Sequence, residues 1–148
     1  MLFDCPAAGR AAAPTTLPEL ERWILVRLRE PSATWRRRSP IAALLPTPVN
    51  LPGMDRAAAA VVAKYAFMPV EWRADVIQNF MAGWLLRPET PQTLARSALA
   101  GLERRNVATI EAGIAWKLRM EILSRAHREL ERERRRQERE LVLLPAYE

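Results

Sequence analysis

Apolar residues recur at intervals of three and four along most of this chain, and nowhere do they alternate in the period-two manner of a strand. A first helix is predicted from Thr16, whose hydroxyl can cap it, with Pro18 in the first turn and Glu19 placed for the helix dipole. Leu20, Trp23, Ile24 and Leu28 follow helical spacing, Arg27 lies at the stripe edge, and Pro31 ends the segment. Asp55 is a candidate cap for a second helix reaching about Phe67, in which the alanines at 57–60 permit close packing. Pro69 opens a third, with Trp72, Val76, Ile77, Phe80, Met81 and Trp84 on one face and Pro88 as its stop. Thr90 and Pro91 repeat the cap-then-proline start, giving a fourth helix with Leu94, Ala95, Ala98, Leu99 and Leu102 inward. After a break near Asn106–Thr109, a long fifth helix carries Ile110, Ile114, Leu118, Ile122, Ala126 and Leu130 at four-residue intervals.

That pattern changes beyond Leu130. From Glu131 to Glu140 no apolar residue occurs, so this stretch of helix has no face to bury. Ion pairs such as Glu131 with Arg135 and Glu133 with Arg136 contribute about 0.2–0.5 kcal/mol each, enough to sustain a helix in water. Leu141, Val142, Leu143 and Leu144 then follow, and Pro145 blocks further helix. An extended apolar peptide is expected there, laid in a groove of a partner or a neighbouring subunit.

The predicted fold class is all-α: a compact bundle of about five helices with a long, charged C-terminal helix and extended Pro-rich arms. Residues 1–15 read as a flexible N-terminal arm, 16–130 as the helical domain, and 131–148 as a projecting polar helix with an apolar tail. Within the domain, residues 31–53 hold five prolines, yet Ile41, Leu44, Leu45, Val49 and Leu51 are too apolar for a free linker. A strap laid over a surface is the expectation.

Charge adds a second theme. The formal net charge is +6, and all of it lies in residues 1–120, because the seven arginines and seven glutamates after them cancel. An excess of this sign points to an anionic partner or an acidic protein surface. Its sharpest local expression is Trp35-Arg36-Arg37-Arg38, inside the acid-free stretch from Pro31 to Met54. Three adjacent guanidiniums suit phosphate contact, and Trp35 could stack on a base. Trp116 falls off the Ile110–Ile114–Leu118 stripe, which makes it either a contact anchor for a partner or a core residue against the second or third helix.

Chemistry is scarce. The one histidine, His127, sits among arginines and glutamates, and the one cysteine, Cys5, lies in the N-terminal arm, far from it in sequence. A metal site would need carboxylates almost alone, and only three aspartates exist. Glu71 and Asp75, one turn apart, read as acids in the first turn of a helix. No GxGxxG, GK[ST] or GxSxG string occurs. Gln92-Thr93-Leu94-Ala95-Arg96 resembles the first helix of a helix-turn-helix, but Gly101 comes six residues after Ala95 instead of four. These residues imply no enzyme, no cofactor, no metal and no evident small-molecule substrate. No apolar run reaches membrane-span length and no signal peptide is evident, so the expected setting is cytoplasmic, or a particle assembled inside the cell.

The reading that unites these features is a non-enzymatic adaptor or structural subunit of a larger assembly, such as a phage or mobile-element particle. It would dock a protein partner, or copies of itself, through its arms and through Trp116, Leu141, Val142, Leu143 and Leu144. Two alternatives use the basic charge. One is a small DNA-binding regulator, the other an inhibitor that occupies a nucleic-acid-binding groove of a host protein.

Overall fold

The computed structural model describes residues 13–29 and 51–143, and within these the fold is all-α. Five helices follow in order: α1 Leu17–Arg29, α2 Met54–Lys64, α3 Val70–Phe80 (continued by a π-helical turn, Met81–Leu85), α4 Thr90–Glu103 and α5 Ile110–Leu143. The central element is α5, which packs on α4, α2 and α3, while α1 lies on α4. The stripe expected on α5 is the spine of the core: Ile110, Ile114, Leu118, Ile122, Ala126 and Leu130 are all buried. Leu20 and Ile24 of α1, Val61 of α2, Ile77 and Phe80 of α3, and Leu94 of α4 close around it.

Threonines stand at the starts of α1 and α5, whereas no side chain caps α2, α3 or α4. At α1 the Thr16 carbonyl accepts the Leu20 amide at 2.9 Å, and the Thr16 hydroxyl donates to the Glu19 carboxylate at 2.9 Å. Arg27, at the edge of that stripe, is buried with its guanidinium 4.2 Å from the centroid of the Trp23 ring. At α5 the Thr109 hydroxyl accepts the Ala112 amide at 3.0 Å, the standard bond of a threonine cap.

The start of α2 differs from expectation. Gly53, not Asp55, is the cap, and Asp55 lies inside the first turn. Leu51 to Met54 form a tight turn closed by the Met54 amide on the Leu51 carbonyl at 3.2 Å. Gly53 takes φ 79° there, as a type II turn requires after Pro52. A Cβ at Gly53 would stand 2.3 Å from the Ala115 Cβ, so the turn sits directly against α5. This seats Leu51, the end of the expected strap, in the core. The helix also stops at Lys64 instead of Phe67, because Tyr65 to Phe67 turn the chain toward α3. Tyr65 packs on Trp72 at 5.5 Å between ring centroids, which brings the two helix ends together.

Between α3 and α4 the sequence again expects a simpler geometry. After Phe80 the helix widens, and the Leu86 amide reaches back five residues to the Met81 carbonyl at 3.0 Å. Thr90 is not the cap of α4; Glu89 holds that position, and Thr90 is buried with its hydroxyl donating to the Trp84 carbonyl. The threonine thus adds a second donor to the Trp84 carbonyl, which also accepts the Arg87 amide at 3.2 Å in the turn that follows the π-helical segment.

At the other end of α4, Arg104 to Asn106 form a Schellman cap: the Asn106 amide bonds the Gly101 carbonyl at 2.9 Å and the Arg105 amide bonds the Leu102 carbonyl at 3.1 Å. Arg105 occupies the left-handed position, φ 59°, that glycine usually takes there. Gly101 lies within α4, so it does not serve as the turn of a helix-turn-helix. The chain then returns as α5, crossing α4 so closely that a Cβ on Gly113 would be 2.9 Å from the Ala98 Cα.

Candidate functional site

The outer face of α5 carries the chemistry the structure leaves free. Trp116 is exposed, 54% of its surface open to solvent, and Met120 one turn on is 50% exposed. The uncertainty over Trp116 resolves toward a surface residue, not a core residue. It forms one wall of a cleft of about 310 Å³ shared with Ser97, Gly101, Arg104 and Val107, beside the α4–α5 crossing. Gly101 and Gly113 both line this cleft, and a Cβ on Gly101 would stand 3.2 Å from the Val107 side chain.

Beyond Leu130 the helix leaves the body. The last buried residue is Leu130, yet α5 continues to Leu143. Leu141 and Val142 are therefore helical and exposed at 68% and 82%, which corrects the expectation of an extended peptide starting at Leu141. The physical reason is the reach of Pro145. It disfavours helix only at itself and at the residue before it, so the turn containing Leu141–Leu143 remains free to form. Leu144, Cys5 and the whole Trp35, Arg36, Arg37, Arg38 cluster lie outside the described residues.

Ion pairs on α5 begin at Lys117, which meets Glu121 at 3.1 Å. Farther out Arg132 meets Glu129 at 2.8 Å, and Arg136 joins Glu133 and Glu140, the latter at 2.7 Å. Glu131 takes Arg134 at 3.3 Å in place of the Arg135 expected from spacing. The hydrogen bond from Arg136 holds the Glu133 carboxyl below its ordinary range, and Glu133 in turn raises the Arg136 guanidinium.

Sequence reading by pairs missed a different order in the same helix. Arg125, Arg128, Arg132, Arg135 and Arg139 recur at steps of three and four and so share one face. Among the described residues only Arg132 of these five has an ion-pair partner. At the inner end, Arg125, Arg128 and Arg132 line a small cavity of about 70 Å³ against Asn79 and Phe80 of α3, with Glu129 at its edge. The Arg125 Nε is buried with no hydrogen-bond partner. Burial, followed by the charges of Arg128 and Arg87, lowers the Arg125 pKa, and Glu121 only partly opposes them.

His127 is exposed on α5, and Glu71 and Asp75 are exposed on α3. Among the described residues, no three His, Cys, Asp or Glu side chains gather in a way that could hold a metal ion. No described helix is long and apolar enough to cross a membrane. The chain matches no family model, no curated protein and no solved structure.

Proposed function

We propose that this protein is a non-enzymatic helical adaptor or assembly subunit that docks a neighbouring protein through the outer face and the far end of α5. The observation that carries the reading is the mismatch between helix and body. Burial ends at Leu130, but the helix runs on about 20 Å, at 1.5 Å per residue, and presents Leu141 and Val142 to solvent at its end. Apolar side chains this exposed gain about 1.5–3 kcal/mol each when another surface covers them. Trp116 and Met120 supply a second apolar position, and a tryptophan beside a cleft is the kind of anchor that dominates binding energy at protein interfaces.

The test uses the full chain with Leu141→Ser and Val142→Ser together, and separately Trp116→Ala. The adaptor reading expects both variants to keep the helical circular dichroism of the parent. It also expects the tip variant to lose self-association in light scattering, or the partner recovered in a pull-down. A tip variant that unfolds would place those side chains in the protein's own core and remove the reading.

A further inference from the structure

The arginine row on α5 asks for a different ligand from the apolar docking positions, although its outer end, at Arg132, Arg135 and Arg139, shares a surface cleft with Val142. Its five members stay within about a quarter turn of one another and span about 21 Å along the axis, by helix geometry of 3.6 residues per turn and 1.5 Å rise. Met120, Trp116 and Leu141 lie from roughly a quarter to nearly half a turn from its midline on the same geometry, whereas Val142 borders the row. At the inner end of the row, Arg125 is partly sunk between α3 and α5 with its Nε buried and unbonded. Arg125 lies close to Arg128 and Arg87, a repulsion that Glu121 only partly offsets, so this cluster is a place where an added anion would be stabilising. The cavity between Arg125, Arg128, Arg132 and Asn79, with the Glu129 carboxylate held by Arg132 at its edge, offers guanidinium and amide donors and about 70 Å³ of space, more than one water needs.

We propose that this row is a phosphate track: the cavity at Arg125 receives one backbone phosphate of a nucleic-acid duplex, and Arg132, Arg135 and Arg139 follow the same strand outward. Guanidiniums bind phosphate oxygens through paired N–H donors, and such contacts fix a duplex without reading its sequence. The shape of the charge selects a line over a plane. Glu129, Glu133 and Glu140 lie to one side of the row, and Glu131 and Glu138 to the other. A flat anionic membrane would press against those carboxylates, whereas a single strand touches only the ridge between them.

The experiment is fluorescence anisotropy of two short labelled duplexes of unrelated sequence, titrated with the full-length protein over a range of salt. The variant is Arg128→Gln, Arg135→Gln and Arg139→Gln together; all three side chains are exposed, so the body is not at risk. Wild type is expected to bind both duplexes equally. The triple variant should weaken both, with the slope of log affinity against log salt reduced by about 2–3 units, since each lost contact to duplex removes nearly one released counterion. Adding Arg125→Gln should lower the slope by about one more. Absence of any anisotropy change for wild type at low salt would overturn the proposal. So would a slope that the triple variant leaves unchanged while Arg36→Ala, Arg37→Ala and Arg38→Ala abolish it. Two further results would refute a linear track. One is competition by inorganic phosphate at matched ionic strength as effective as unlabelled duplex, and the other is row-dependent binding to phosphatidylserine vesicles without binding to duplex.

Discussion

Replacing Gly53 by Ala should be among the most damaging single-atom-scale changes in the body, and its cost can be separated into two parts. Gly53 holds φ 79°, and a left-handed conformation costs an L residue about 1–2 kcal/mol. The added methyl would also stand 2.3 Å from the Ala115 Cβ and 2.8 Å from the Ala115 Cα, so α2 and α5 must separate; overpacking of that kind costs about 1–3 kcal/mol. Together these predict a loss of about 2–5 kcal/mol, a large share of the total stability of a domain this size. Gly53→Asn keeps the clash but tolerates the left-handed backbone, so it should fall between wild type and Gly53→Ala. Ala115→Gly removes the Cβ–Cβ clash. On its own it should cost about 0.5–1 kcal/mol as a glycine in a helix, but combined with Gly53→Ala it should restore at least about 0.5 kcal/mol, a coupling typical of residues in contact. Urea unfolding followed by far-ultraviolet circular dichroism measures all four variants. A Gly53→Ala protein within about 0.5 kcal/mol of wild type, the range of neutral surface changes, would refute both the turn and the contact.

Phe80→Ala should lose about 3–5 kcal/mol in the same assay, because Phe80 is fully buried and stacks on Trp84 at 5.3 Å. Arg105→Gly should gain about 0.5 kcal/mol, since relief of the left-handed strain slightly exceeds the extra freedom of the unfolded chain, while Arg105→Val should lose stability; scanning calorimetry distinguishes the two signs.

The helices and the core stripe were legible in the sequence because they follow from period alone. Ile110, Ile114, Leu118, Ile122, Ala126 and Leu130 are buried as their spacing dictates, and so are Leu20, Ile24, Ile77, Phe80 and Leu94. The features that escaped depend on where one element meets another. With a π turn after Phe80, Leu85 is fully buried while Trp84, expected on the core face, is only half-buried. Nothing in Met81-Ala82-Gly83-Trp84-Leu85 announces that widening, and Thr90 looks like a cap until the Trp84 carbonyl is seen beside it. The cap at Arg105 lacks the glycine that would have marked it. On α5 the signal for the arginine row was present: its three-and-four spacing is as regular as an apolar stripe, but charges sorted into ion pairs conceal the face they share.

The outer part of α5 makes no use of tertiary packing, and a helix of its length standing alone would barely persist in water, where isolated helices shorter than about 12–15 residues are marginal. It forms because the buried part from Ile110 to Leu130 has already met the cost of nucleation, leaving only propagation, one bond per residue, to carry the helix outward. Melting of this segment therefore begins at the free end and travels inward like a zipper. The apolar residues at its end are the first to lose their helical geometry, and the arginines nearest the body are the last. A ligand gripping the middle of the row would act as a clasp on that zipper and hold the far end helical without touching it.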